Sequence, residues 1–148
     1  MSLQQWVDNA WITEIAPKAR DVANLLAIAE REIADGSLEG MSPDGRFDHA
    51  YEGVRALCEA ALHACGYQVP RGTSKHQRLI ESLKFTIDAD WTGEVDFLDL
   101  CRRRRHQSRY DRAGVVQQRD ADELLATARR LDAEVRRWLR EHHPELLP

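Results

Sequence analysis

Between Phe47 and Cys65 the apolar residues Phe47, Tyr51, Val54, Cys58, Ala61 and Cys65 recur in alternating steps of four and three. That spacing lines one face of an α-helix. A strand sends successive side chains to opposite faces, so a sheet could not bury this set. Leu57 and Leu62 widen the stripe. Ser42 and Pro43 stand at its start. A serine hydroxyl can accept from the orphan N–H groups of a first turn, and proline's fixed φ suits the first helical position. Gly66 is placed to stop the helix.

Four other segments carry the same period. Ala19, Val22, Leu26, Ala29 and Ile33 predict a helix over 14–35, with Pro17 in its first turn and Gly36 ending it in a left-handed conformation. Leu79, Ile80, Leu83 and Ile87 predict one from about Ser74 to Ile87. Val95, Leu98 and Cys101 predict one over roughly 92–112. A last helix is expected from Asp120, where Asp120 and Glu123 have capping-box spacing. Leu124, Ala128, Leu131, Val135 and Trp138 form its seam, and Pro144 ends it. Alternating Val/Ile/Thr runs are almost absent. The expected fold is therefore all-α: one antiparallel bundle of about five helices over 1–148, with residues 1–12 as an N-terminal extension. Trp6, Trp11, Trp91 and Trp138 read as packing anchors, with Trp6 and Trp11 alternatively covering a neighbour or a dimer contact.

A chain that is 43% hydrophobic and 31% charged folds rather than staying disordered. It has no apolar run near the roughly 18–20 residues of a membrane span. Met1–Trp6 lacks the basic-then-apolar order of a secretory signal. The three cysteines, Cys58, Cys65 and Cys101, are odd in number and lack a pairing motif. They predict a reducing, cytoplasmic setting and behave as small hydrophobes. The net charge of −4 rules out general adhesion to nucleic acid, yet Arg102, Arg103, Arg104, Arg105, Arg109 and Arg112 cluster with only Asp111 among them. A local basic patch on an acidic chain points to a specific anionic target.

Two segments together resemble the HEPN family. One runs from Phe47-Asp48-His49-Ala50-Tyr51 to Ala60-Ala61-Leu62-His63-Ala64-Cys65-Gly66-Tyr67, followed by a loop and His76. The other is Leu100-Cys101-Arg102-Arg103-Arg104-Arg105-His106-Gln107-Ser108-Arg109-Tyr110. The family motif is Arg, a polar residue, three variable residues, then His; here it reads Arg105-His106-x3-Tyr110, with tyrosine in the last place. The likeness covers roughly residues 44–135. It implies a helical bundle that pairs as a homodimer, with two copies of the arginine helix meeting at a cleft. It also implies a metal-independent endoribonuclease of a toxin–antitoxin or defence system, cleaving RNA by attack of the 2′-hydroxyl. A cognate antitoxin or a nucleotidyltransferase acting on Tyr110 is the partner it suggests.

On that reading Arg105, His106 and Tyr110 are the candidate catalytic residues. Arg105 would stabilise charge, His106 transfer protons and Tyr110 orient the phosphate. Arg102, Arg109 and His76 are the candidate phosphate- or RNA-binding residues. Arg102, His106 and Tyr110 share a helix face, Arg105 and Arg109 form the neighbouring row, and Arg105 and Tyr110 lie about 140° apart. A phenol is a poor general base near neutral pH. Two other functions stay open. One is a non-catalytic module that binds RNA or nucleotide phosphate; the other is a structural dimer whose arginines pair with carboxylates. His49 and His63 read as boundary residues, and the adjacent His142 and His143 do not share a helix face. No metal site and no cofactor are expected, since zinc-ligand spacing, a phosphate-binding loop, a dinucleotide fingerprint and a nucleophile elbow are all missing.

Overall fold

Local chemistry fixes most of the element boundaries in the computed structural model, which describes every residue except Thr73 and Pro148. Helix α1 (Leu3–Asp8) starts at a capping box in which Ser2 and Gln5 satisfy each other's backbone N–H. Ala10 then takes φ 61°, a left-handed turn unusual for a residue with a Cβ. The chain continues into β1 (Thr13–Glu14), which pairs antiparallel with β2 (Tyr67–Gln68), Thr13 facing Gln68.

Helix α2 (Ala19–Gly36) starts later than the expected residue 14, because Thr13–Glu14 is drawn into that ribbon and Lys18 is extended. Gly36 does not cap the helix with a left-handed turn; it lies inside the last helical turn and Ser37 follows as the cap. Its lack of a side chain serves packing instead. A Cβ there would sit 3.1 Å from the Cβ of His49 and 3.5 Å from the carbonyl oxygen of Arg46. Helix α3 (Pro43–Ala64) begins as expected, with Ser42 Oγ accepting from Gly45 N–H and Pro43 in the first turn. Gly66, at φ 92°, turns the chain after it.

Helix α4 (Lys75–Thr86) and helix α5 (Thr92–His106) follow. The expected helix to 112 changes character at its end, where Gln107–Asp111 winds as a wider π-turn. Helix α6 (Gln118–His142) opens with a box formed by Gln117 and Asp120, one step upstream of the Asp120–Glu123 pair. A 3₁₀ turn over Pro144–Leu146 ends the described chain.

Helix α3 is the central element, and α2 and α6 make the most extensive contacts with it. Its apolar stripe is buried from Phe47 through Tyr51, Val54, Leu57 and Cys58 to Ala61 and Leu62, while Cys65, just past the helix end, is only partly covered. Each such large side chain contributes roughly 1.5–3 kcal/mol by leaving water. Helices α2 and α3 run antiparallel, since Ile33 meets Gly53 while Asp21 meets His63. Helices α5 and α6 also oppose each other, Arg104 reaching Asp120 and Glu94 facing Arg130. Residues 1–12, expected as an extension, place Trp6 and Ile12 in the core. Trp6 packs edge-on against Phe85 and Trp11, with ring centroids 5.5 and 5.9 Å away. No helix among the described residues is long and apolar enough to cross a membrane.

Candidate nucleic-acid interface

The arginine-rich end of α5 packs beside the first half of α3, and that neighbour decides what each guanidinium can do. Residues four apart share a helix face, so Asp48 and Glu52 project together from the polar edge of α3. Arg105 donates from Nε to Asp48 Oδ1 at 2.9 Å and from Nη2 to Glu52 Oε1 at 2.6 Å. Its guanidinium also lies 4.8 Å from the centre of the Tyr51 ring. Only 13% of the Arg105 side chain is exposed. Charge-assisted bonds to two carboxylates, largely out of water, make it an anchor between α5 and α3.

Four of the other arginines are also paired, three of them on the surface and Arg102 part-buried. Arg109 reaches Asp48 at 3.2 Å, Arg102 and Arg103 share Asp99 at 2.9 and 3.6 Å, and Arg104 meets Asp120 at 3.0 Å. Arg112 has no carboxylate within 4.0 Å among the described residues. Surface pairs of this kind contribute only about 0–1 kcal/mol and exchange with other anions. Arg103, Arg104, Arg109 and Arg112 are exposed, so they can leave their carboxylates for a phosphate, whereas Arg105 is held. Asp48 further raises the pKa of the Arg109 guanidinium through its charge and hydrogen bond.

The three proposed catalytic side chains are thus divided. His106, the last residue of α5, and Tyr110, late in the π-turn, are exposed and hold their rings in tilted contact, centroids 4.8 Å apart and planes at 44°. Arg109 lies 5.8 Å from the Tyr110 ring. Arg105 turns the other way, toward α3, and no hydrogen bond joins it to His106 or Tyr110 among the described residues. The π-turn shapes this contact in part: a wider turn changes the angular offset that a regular helix would give residues 107–111.

His76 comes to the same side as Arg105. Its Nδ1 lies 3.1 Å from the Tyr51 hydroxyl. Burial lowers the pKa of the His76 ring, and the nearby Arg55 and Arg105 guanidinium groups add to that effect. Burial raises the Tyr51 phenol far above its ordinary value, against the pull of Arg105. Tyr51 therefore keeps its proton, and its hydroxyl shares a hydrogen bond with His76 Nδ1 whose direction follows the imidazole tautomer. The pair completes a line from Arg105 through Tyr51 to His76. A neutral, half-buried imidazole facing a phenol has no charge to offer a phosphate.

Asp48, Glu52 and Tyr51 escaped the sequence reading of the site. The available signal was an acidic pair at i, i+4 spacing beside the tyrosine of the apolar stripe. The cysteines carry no chemistry here: burial raises Cys58 strongly, Cys65 to about 11 and Cys101 to about 12, so none is an available thiolate nucleophile. Asp88, Glu141 and His142 bring ligand-type atoms within 4.8 Å of one another. Arg137 already donates to Asp88 at 2.6 Å and Glu141 at 2.7 Å, which makes this group an ion-pair staple joining the α4–α5 loop to the end of α6.

Fold and site together define an all-helical bundle with a cationic, aromatic-tipped helix end. No family model, curated protein or solved structure matches the chain.

Proposed function

We propose that this chain is a HEPN-like module that binds RNA phosphate at the exposed end of α5 without cleaving it. The observation that carries this reading is the division of the motif. The exchangeable cations Arg103, Arg104, Arg109 and Arg112 flank the exposed, touching rings of His106 and Tyr110 in sequence. The one arginine a ribonuclease would need, Arg105, is occupied by Asp48 and Glu52. Exposed cations supply salt-sensitive affinity, and exposed rings offer faces on which unpaired bases stack. Cleavage by 2′-hydroxyl attack would need a guanidinium and a proton-transfer group converging on one phosphate, and in the single chain they diverge.

The resemblance also carries a second copy of the chain and a nucleotidyltransferase as proposed partners. Tyr110, 66% exposed, is accessible to such an enzyme. The test pairs a binding titration with a cleavage assay on single-stranded RNA in the absence of metal. Binding that weakens steeply with salt and with the Arg103→Ala/Arg104→Ala double substitution, with the RNA left intact, is the expected result. Cleavage by the wild type that disappears in folded Arg105→Ala would replace this reading with the ribonuclease.

A further inference from the structure

A second cationic region lies away from the arginine run and is built differently. The Ala10–Trp11 turn, the Val69–Gly72 loop and the first turn of α4 enclose a hollow of about 280 Å³. Arg71, Lys75 and Arg78 line it, and no carboxylate does. On a chain of net charge −4, three cations around one hollow with no acid among its described lining residues form a local positive field. Lys75 and Arg78 each form one long ion pair with a carboxylate outside the lining, Glu59 at 3.7 Å and Glu81 at 4.0 Å. Arg71 has none within 4.0 Å among the described residues. The positive end of the α4 dipole adds to the same field.

One wall of the hollow is aromatic. The Arg78 guanidinium lies 3.6 Å from the centre of the Trp11 ring, a stack that fixes the plane of the arginine. Trp11 is itself set by the left-handed turn at Ala10 and by its N–H donating to the Trp6 carbonyl at 2.9 Å. The guanidinium is thereby organised before any ligand arrives.

We propose that this hollow is a binding site for the phosphate monoester of a nucleotide, either free or at the 5′ end of a single strand. Arg71, Lys75 and Arg78 receive the phosphate, and the Trp11–Arg78 stack receives the base or sugar. A monoester carries close to two negative charges at neutral pH, which suits one unpaired and two loosely paired cations better than a single carboxylate or phosphodiester does. A peptide carboxylate would use the cations and leave the planar stack idle; a nucleotide uses both. These residues are separate from those of the α5 reading, so each proposal can fail without the other.

The test measures binding of a 5′-phosphorylated tetranucleotide RNA, its 5′-hydroxyl counterpart and adenosine monophosphate, by calorimetry and by quenching of tryptophan fluorescence. The phosphorylated strand is expected to bind at least tenfold more tightly than the hydroxyl form. Arg71→Ala/Lys75→Ala should abolish that preference while the circular dichroism spectrum stays unchanged. Arg103→Ala/Arg104→Ala, at the end of α5, should leave the preference in place even where total RNA affinity falls. Adenosine monophosphate binding as tightly as the strand would identify the free nucleotide as the source. Equal binding of the two strands would overturn the proposal. So would a preference that survives Arg71→Ala/Lys75→Ala, or displacement of the phosphorylated strand by a glutamate-rich peptide at lower concentration than by adenosine monophosphate.

Discussion

The end of α5 and the start of α4 are both cationic, yet they reach that state by opposite routes. Helix α5 concentrates arginine in sequence and then surrenders most of the charge: Asp48, Glu52, Asp99 and Asp120 answer Arg102, Arg103, Arg104, Arg105 and Arg109. The hollow beside α4 draws Arg71 from a loop and Lys75 and Arg78 from the first turn of α4, with no acid among its described lining residues. A run of like charges is costly to fold unless it is compensated, since neighbours at i, i+4 repel by a few tenths of a kcal/mol per pair. The dense cluster takes up its carboxylates mostly in hydrogen bonds, whereas the dispersed one meets Glu59 and Glu81 only at 3.7 and 4.0 Å. Between the two regions, Glu52, Arg55 and Glu59 on α3 and Lys75 at the start of α4 form a chain of alternating charge. Glu52 and Glu59 are about 10 Å apart along the helix axis.

The largest effect expected from this contrast is on stability. Arg105→Ala would leave Asp48 and Glu52 facing each other, half-buried, without their shared cation. Removing one partner from a largely buried ion pair costs about 3 kcal/mol, somewhat less where water can enter. Arg103→Ala, on an exposed side chain, should cost no more than about 0.5 kcal/mol. Urea unfolding of both variants measures the difference. Equal and small losses would mean that Arg105 is no anchor and is free to serve a ligand.

A smaller effect is expected on binding. Asp48→Asn removes the carboxylate that holds both Arg105 and Arg109. The α5 end should then become a stronger anion site, with RNA affinity raised roughly fivefold, about 1 kcal/mol. The slope of log affinity against log salt should steepen by about 0.7 for one further phosphate contact on a single strand. Unchanged affinity and slope would show that Arg109 is not among the groups that meet phosphate. The same substitution should leave the 5′-phosphate preference of the α4 hollow untouched.

The two regions also differ in how legible they are. The bundle could be read from periodicity, and Ser42, Pro43 and the stripe from Phe47 to Ala61 behave as their spacing predicts. Gly36 could not, because its reason lies in the His49 and Arg46 backbone region of the next helix. The arginine run was visible, but its neutralisation was not: Asp48 is 57 residues from Arg105 in sequence. The hollow left no local trace at all. Arg71, Lys75 and Arg78 are ordinary surface cations until β1 and β2 pair and bring Trp11 over α4. Short-range patterns report which face of a helix is buried; they do not report which charges from distant segments will meet.

His76 stands between the regions and can report on both. Its ring touches the Tyr51 that carries Arg105, and it follows Lys75 of the hollow directly. Burial, Arg55, Arg105 and Lys75 all favour its neutral form in the fold. The unfolded chain, with an ordinary histidine, takes up a proton near pH 6.5. The native state resists it, so the unfolded state binds more protons as the pH falls through that value. Stability should therefore decline on acidification from neutral pH through 6.5 and below, down to the lowered native pKa. His76→Gln should flatten that part of the profile relative to wild type, as followed by urea unfolding at a series of pH values. Tyr51→Phe should cost about 1 kcal/mol through the lost hydroxyl bond. The imidazole resonances of His76 supply the finer test. Adenosine monophosphate seated against Lys75 would offset part of the positive field and move the His76 midpoint upward, whereas RNA held at Arg103 and Arg104 would scarcely move it. A midpoint that shifts with neither ligand would place both anions out of reach of this ring and detach the hollow from the first turn of α4.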